Sequence, residues 1–530
     1  MGVLRYEGEK PSGAPRVIGY EPEGSTVVFK CPDNRCEFRD GLPVYVIDED
    51  IYEQRPSLII GTVDKFAMLA WRPKARRIFG IDDEGERELP PPGLIIQDEL
   101  HLIAGPLGSM VGLYEAVVEE LCTNRSAGTR VLPKIVSSTA TIRRHEEQVK
   151  ALYARERVSL FPPPGLEAGD SFFARFATSS DGRPLPGRLY VGVHGAGLGS
   201  LQTVQVRTFA ALLQAPVALS LEERDPWWTL MLFFNSLREL GTTLSLFQSD
   251  IPDRFAVLRN RLGLATGDVR RFWRLRELTG RLHSSQVPDA ISALEVTTSS
   301  SSEGAVDVCL ASNIIEVGVD IDRLSLMSVV GQPKTTSQYI QVTGRVGRKW
   351  WSRPGLVITI YSASKPRDRS HFEKFRTYHE RLYAQVEPTS VTPFSPPVLD
   401  RALHAVMTVY ARQLGDKALA NRPYPFPTDL IDRLREILIA RVKEVDNDEL
   451  QNFERVFETK SQEWERWARM SWEGKWDEID PPLLREAGAY VSRERKRLSW
   501  PTPRSMRNVD AECQAQITQL YINDEIAKDA

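Results

Sequence analysis

The sequence predicts an α/β fold: two parallel-sheet units in succession, followed by a mostly α-helical C-terminal extension. Three observations carry this. From about 57 to 365, short apolar or β-branched runs alternate with helically spaced segments. That alternation places helices on the faces of a parallel sheet. The series occurs twice. After 366 the strand-like runs give way to long amphipathic segments.

The elements follow in order. Residues 1–50 are loop-rich and contain CPDNRC, with Cys31 and Cys36. Two cysteines at this spacing supply half of a zinc site, or are simply two reduced thiols. The first unit is expected over 51–205. In it SLIIGTVDKFAMLAW reads as strand, turn and helix, GLIIQDELHLI as a buried strand, and GSMVGLYEAVVEELCTNR as a helix. KIVSSTATI and GRLYVGVHG read as further strands. The second unit is expected over 206–365. There TLMLFFNSLRELGTTLSLF reads as strand then helix, while VDVCLASNIIEVGVDI, LSLMSVVGQP and GLVITIYS are strand-like. SQYIQVTGRVGRK reads as a helix with a basic end. The extension, 366–530, holds RALHAVMTVYARQL and TDLIDRLREILIARVKEV.

Composition excludes several classes. The chain has 530 residues, 42% hydrophobic and 26% charged, as ordinary soluble proteins have. A formal charge of -3 rules out a polycation, so nucleic acid would need a local basic groove. FAALLQAPVALSL (209–221) is too short, and interrupted by Pro216, to span a bilayer. The five cysteines are scattered apart from one pair, and the N-terminus lacks a signal peptide's apolar core, so a reduced cytoplasmic chain without a membrane partner is expected.

The chemistry begins at Asp98-Glu99, at the end of a predicted parallel strand. Ligands bind at that edge of such sheets. One carboxylate can position Mg²⁺ while its neighbour activates water. Alone, the doublet is better read as a solvated strand end. QVTGRVGR (341–348) alters the balance. Arg345 and Arg348, three apart, are expected on one helix face, where two guanidiniums suit charge developing on a transferred phosphoryl group. A basic surface helix is the alternative, and Gly344 and Gly347 argue against it. In ASNIIEVGVDID (311–322), Gly318 and Asp320 sit where a strand should end.

DELH (98–101), STAT (138–141), ASNIIEVGVDID (311–322) and QVTGRVGR (341–348), in this order, resemble motifs II, III, V and VI of superfamily 2 helicases. GTVDKF (61–66) resembles motif Ib and FFNSLRELG (233–241) motif IV. The wording of the chain, including IIQDELHLIAGPLGSMVGLYE, FPPPGLEAGDSFFAR and ELTGRLHSSQVPDAI, is similar to the large helicase subunit of the DISARM anti-phage system.

The resemblance implies two RecA-like lobes, the first incomplete, and ATP with Mg²⁺ as cofactors. Asp98 would bind Mg²⁺ through water and Glu99 would be the general base. His101, Thr139, Ala140 and Thr141 would couple the nucleotide site to the strand. Gln341, Arg345 and Arg348 would face the γ-phosphate, and Gly318 and Asp320 the nucleotide. Thr62, Lys65, Asn235, Ser312 and Lys349 would contact nucleic acid, DNA rather than RNA. Further basic and aromatic candidates are Arg72, Arg76, Arg77, Trp500 and Arg504.

One part is missing. No G-x-x-x-x-G-K-[ST] phosphate loop lies upstream of Asp98, and the nearest stretch, PSGAPRVIGYEPEGSTV, lacks the lysine. A split gene, a truncated reading frame and a helicase-like assembly subunit without catalysis all fit. The other motifs being intact favours the first two. Expected partners are nucleic acid, a separate chain carrying the phosphate loop, and other defence subunits. Val342 stands where many relatives carry another arginine.

Overall fold

The computed structural model describes residues 5–7, 16–31, 33, 35–126, 128–139, 144–163, 172–173, 175, 177–185, 187–283, 286–299, 304–312, 321–349, 351, 353–387, 390–474, 480–489 and 498–507. They fall into two compact units. One draws on 1–139, 144–158 and 389–530, and the other on 140–143 and 159–388.

The first unit opens with two antiparallel pairs, β1 (Arg5–Glu7) with β2 (Arg16–Ile18) and β3 (Tyr20–Glu23) with β4 (Thr26–Phe29). Helices α1 (Asp48–Gln54) and α2 (Asp64–Met68) follow. Next come β5 (Leu94–Gln97), α3 (Gly105–Leu121), β6 (Lys134–Ser137) and α4 (His145–Tyr153). β5 and β6 pair in parallel, Leu94 opposite Lys134 and Ile96 opposite Val136. α3 starts with Gly-Pro in its first turn, where the missing N–H costs nothing. It is buried almost all round, as a core helix is.

The second unit holds β7 (Arg188–His194), α5 (Leu201–Gln214), α6 (Leu221–Trp228), β8 (Leu230–Phe234), α7 (Leu237–Gln248), α8 (Asp250–Leu262) and β9 (Leu275–Leu278). It continues with α9 (Gln286–Glu295), β10 (Val308–Ala311), β11 (Leu326–Val330), α10 (Thr336–Thr343), β12 (Gly355–Tyr361), α11 (Pro366–Glu373) and α12 (Phe375–Glu380). Six strands form one sheet in the order β7-β12-β11-β8-β10-β9, every pairing parallel. β8, β10 and β11 are buried at every position, the pattern of strands covered on both faces. Serine or threonine hydroxyls cap α5, α7 and α10 at Ser200, Ser236 and Thr335. The α/β class predicted from the strand and helix alternation is the observed one.

The chain then re-enters the first unit through α13 (Pro396–Leu414), α14 (Lys417–Asn421), α15 (Thr428–Val445), α16 (Leu450–Trp467) and the parallel pair β13 (Leu484–Glu486) and β14 (Trp500–Thr502). One hydrophobic core joins Leu113, Tyr114, Val117 and Leu121 of α3 to Leu403, Val406 and Tyr410 of α13, Leu434 of α15 and Phe453 of α16.

Four expectations are corrected. Residues 57–61 form no strand: among the described residues nothing pairs with them, and Leu58 and Ile60 stand 73% and 82% exposed. β5 exists but is not buried on both faces, with Leu94 and Ile96 53% and 64% exposed. GRLYVGVHG, expected before a boundary at 205, is β7 of the second sheet, because it pairs with β12 along its length. The helices after 389 are not an appendage, because they supply much of the core that α3 buries into.

Candidate functional site

In the first unit the chemistry gathers just past the ends of β5 and β6. The ladder holds the two turns together: Ser138 N–H donates to the Gln97 carbonyl and Leu100 N–H to the Ser138 carbonyl, both at 2.9 Å. Asp98 Oδ1 accepts from the Glu99 N–H at 3.0 Å and from the Ser138 hydroxyl. Glu99 is a non-glycine residue with φ at 52°, a left-handed conformation that costs about 1–2 kcal/mol. Such strain persists where the surroundings over-determine it, and it clusters at functional sites. His101 is buried. Its Nδ1 lies 3.2 Å from Thr139 Oγ1 and 3.4 Å from Glu99 Oε2. Asp98, Glu99, His101 and Thr139 are therefore one cluster, with Asp98 exposed and Glu99 partly so. Ala140 and Thr141 lie outside the described residues.

Two members of this cluster had no assigned role in the sequence. Ser138 bridges the acidic turn to the β6 turn through Asp98. Gln148 of α4, fully buried, donates to the carbonyls of Leu100 and Ile103 at 3.0 and 2.8 Å and so holds the loop behind the acids. Ser138 stood inside a quoted motif. Nothing in the local sequence marks Gln148.

In the second unit α10 ends at Thr343. Arg345 and Arg348 are thus in the turn beyond it, not on a helix face as expected. The glycines are the reason. Gly344 closes the helix, and Gly347 takes φ of 64° with its backbone packed on Gly355. The turn is tied down: Gly347 N–H donates to the Leu324 carbonyl at 2.8 Å. Arg188, at the start of β7, donates to the carbonyls of Val346 and Gly344 at 2.9 and 3.1 Å. Sequence reasoning missed Arg188, whose partner turn lies far along the chain. At the other end of α10 the Glu387 carboxylate accepts from the Thr336 N–H and hydroxyl, favourable at a helix N-terminus. Gln341 lies on α10 itself, partly buried.

The remaining expected residues divide. Thr62 and Lys65 are exposed, with Lys65 Nζ 2.7 Å from an Asp48 oxygen. Lys349 pairs with Asp322 at 3.2 Å. Asn235 turns inward, its amide donating to the carbonyls of Val330 and Gly331 at 3.1 and 3.2 Å. Ser312 is buried at the end of β10. Gly318 and Asp320 lie outside the described residues. Two looser candidates are corrected as strand-facing groups. Arg76 is buried and donates to the Arg412 carbonyl. Trp500 is buried against Trp464 and Trp467, its N–H donating to Glu463 at 2.8 Å. Arg504 pairs with Glu486 and lies over the Trp71 ring. Cys31 and Cys36 are partly buried, and no cluster of three or more His, Cys, Asp or Glu able to hold a metal occurs among the described residues. No helix among them is long and apolar enough to cross a membrane.

The fold and these turns define a helicase-like α/β protein. Residues 267–349 match the helicase conserved C-terminal domain. The chain is also similar to the DISARM protein DrmA of Bacillus paralicheniformis (strain ATCC 9945a / NCIMB 11709 / CD-2). The two are 38% identical over 534 residues, 93% of this chain and 46% of the relative. The chain thus spans about half the length of the relative it matches. The motif-borne resemblance to superfamily 2 helicases and to the DISARM helicase subunit is borne out. Among solved structures, the DUF1998 helicase MrfA bound to DNA and AMPPNP is 17% identical, over 74% of this chain and 46% of that one, at a TM-score of 0.45. Mycobacterium smegmatis Lhr bound to ssDNA and AMP-PNP is 17% identical, over 71% and 43%, at 0.42.

Proposed function

We propose that this chain is the C-terminal portion of an ATP-dependent superfamily 2 DNA helicase or translocase acting in prokaryotic anti-phage defence, and that it cannot complete an ATP site alone. The observation that carries the reading is the cluster at the ends of β5 and β6. Asp98, strained Glu99, His101 and Thr139 are gathered there at the ligand edge of a parallel strand pair. The likeness to a DISARM protein supports the defence setting.

Each residue has a role in this reading. Asp98 would hold Mg²⁺ through water, and the ion would supply positive charge to the phosphates. Its exposed carboxylate, already oriented by Ser138 and the Glu99 N–H, fits that task. Glu99 takes the proton of the attacking water. Arg345 and Arg348 neutralise charge on the γ-phosphoryl group, with Gln341 beside it and Gly318 and Asp320 on the nucleotide. His101 with Thr139, Ala140 and Thr141 couples the acids to strand contact. Thr62, Lys65 and Lys349 are the better strand contacts, because exposed ion pairs such as Lys65–Asp48 are weak and readily exchanged for phosphate. Asn235, whose amide donates to the carbonyls of Val330 and Gly331, and buried Ser312 would support strand contact within the second unit. Zinc at Cys31 and Cys36 would need further ligands, since no cluster of three or more His, Cys, Asp or Glu occurs among the described residues.

Partners are DNA, other defence subunits and a polypeptide bringing the phosphate loop. The test is complementation. The chain alone should not hydrolyse ATP. Joined by the part of the DrmA relative outside the match, it should show DNA-stimulated, Mg²⁺-dependent turnover, lowered about 100-fold or more by Glu99→Gln. Robust turnover by the chain alone would sink the incompleteness. A complemented assembly that binds DNA without turnover would make the chain a non-catalytic assembly subunit.

A further inference from the structure

In the second unit, the chain that runs from α8 into β9 is strongly basic. RFAVLRNRLGLATGDVRRFWRLR (254–276) holds seven arginines and a single acid, Asp268, in a chain whose formal charge is -3. Such a local excess is the electrostatic mark of a polyanion site. Its last stretch alternates inward and outward. Arg270 is buried, pairs with Asp307 at 2.7 Å and lies 3.3 Å from the centre of the Trp228 ring. Phe272 packs on Phe247 and Phe255. Arg271 and Trp273 face solvent between and beyond these anchors, and Trp273 is 80% exposed. Its backbone is nonetheless fixed, because the N–H groups of Trp273 and Arg274 donate to the second Asp307 oxygen at 2.9 and 3.1 Å. A single exposed apolar side chain needs no explanation by itself. Here the ring stands on a pinned backbone between two exposed guanidiniums, Arg271 and Arg276, which have no ion pair or hydrogen bond among the described residues. Arg274 donates to the Gly304 carbonyl, and the Glu277 carboxylate accepts from the Thr279 hydroxyl at 2.6 Å.

We propose that Arg271, Trp273 and Arg276 form a binding site for single-stranded nucleic acid, separate from the strand contacts proposed above. Trp273 stacks on an unpaired base, and the two arginines, at most about 17 Å apart along the chain, take phosphates on either side. Two features select this occupant. Guanidiniums without carboxylate partners suit a phosphodiester backbone. A flat, exposed ring suits a base, whereas an acidic peptide would meet the same charge and leave the ring with no flat group to stack on. The place in the fold makes the site a distinct one. Trp273 precedes β9, and Leu275 pairs with Val308 in a parallel ladder, so the tryptophan lies where the strands of the sheet begin. Asn235 and Ser312 follow β8 and β10, at the end where the strands finish. β9 is also the last strand on its side of the sheet, so no strand among the described residues lies beyond it. The site does not depend on ATP and holds a strand whether or not the nucleotide site is complete.

The experiment titrates the full chain with a fluorescent oligothymidylate of about 16 nucleotides, and photocrosslinks the same oligonucleotide carrying 5-iododeoxyuridine. We expect an adduct on the peptide containing 271–276, and the same adduct in a chain carrying Lys65→Ala and Lys349→Ala, which removes strand contacts of the proposed function. In that background Trp273→Ala should weaken binding about tenfold, and Trp273→Phe, which keeps a ring, should restore most of it. Arg271→Gln and Arg276→Gln should each lower the slope of log affinity against log salt by about 0.7. All three positions are exposed, so thermal unfolding should match the parent's. The adduct map on the parent chain decides the matter should a variant not fold. Absence of the adduct, its loss with the two lysines, or affinity and salt slope indifferent to all these substitutions overturns the proposal. So does polyglutamate competing as well as the oligonucleotide, which would make this an acidic-polypeptide surface. ATP turnover is read separately: a chain that yields the adduct without hydrolysing ATP keeps the site, and a missing adduct leaves the ATPase reading as it was.

Discussion

Glu99 and Gly347 show how single backbone conformations aim the chemistry. Glu99 accepts left-handed strain within the turn that holds Asp98 and His101. Gly347 avoids the same strain by having no side chain, and it lets the arginine turn fold back on Gly355. Only glycine fits there, since an added Cβ would run into the Gly355 backbone. Gly347→Ala should therefore cost the second unit roughly 2–4 kcal/mol, from left-handed backbone and overpacking together. Gly241→Ala is the contrast: it lies inside α7 with open space around it and should stabilise by about 0.5–1 kcal/mol. Denaturant unfolding of both variants checks the pair. Equal effects would remove the special role of Gly347. The glycines are legible in the sequence as poor helix residues, but that they end the helix before the arginines is not. Ending α10 at Thr343 puts the arginines in a turn that Arg188 holds by its carbonyls, and no local pattern announces a partner so far away.

At the scale of elements, helices and central strands were legible because periodicity is local, whereas their neighbours were not. β7 reads as a strand in isolation, yet only its pairing with β12 decides which sheet owns it. The SLII run has strand composition but no partner among the described residues, and composition cannot report that. α3 reads as amphipathic, but it is buried nearly all round, and this puts Glu115 in the core. Burial pushes its carboxyl from the ordinary 4.5 up to about 7, against the opposing pull of Arg441 and, more weakly, Arg155, and with Glu119 adding to the rise. The sign follows. The folded pKa lies above the unfolded one, so the neutral acid's contribution is full below about pH 4.5 and is lost as pH climbs to about 7. The loss is on the order of 3 kcal/mol at about 1.4 kcal/mol per unit. Glu115→Gln, which stays neutral, should match the parent near pH 4.5 and exceed it in stability at pH 8. Thermal unfolding across that range checks it, and a difference independent of pH would refute the buried acid.

At the scale of the molecule, the chain crosses from one compact unit to the other and returns, so linear order is a poor guide to what folds together. The second unit draws on a nearly continuous stretch, 159–388, whereas the first is assembled from both ends of the chain. The four motifs keep their linear order across this interruption, because motifs report turns at strand ends and not the core beneath them. The consequence is testable by truncation. Ending the chain at 388 removes α13, with Leu399, Leu403, Val406, Met407 and Tyr410, all buried in the first core. At about 2 kcal/mol for each buried side chain, that loss of roughly 10 kcal/mol rivals the whole stability of a domain. A chain of residues 1–388 should therefore lose the folded first unit, with fast amide exchange through α3, while 159–388 still unfolds cooperatively. Exchange and calorimetry on the two truncated chains decide it. Native protection of α3 without α13 would show that the C-terminal helices are dispensable to the carboxylate-bearing unit, and the single core described for it would have to be divided.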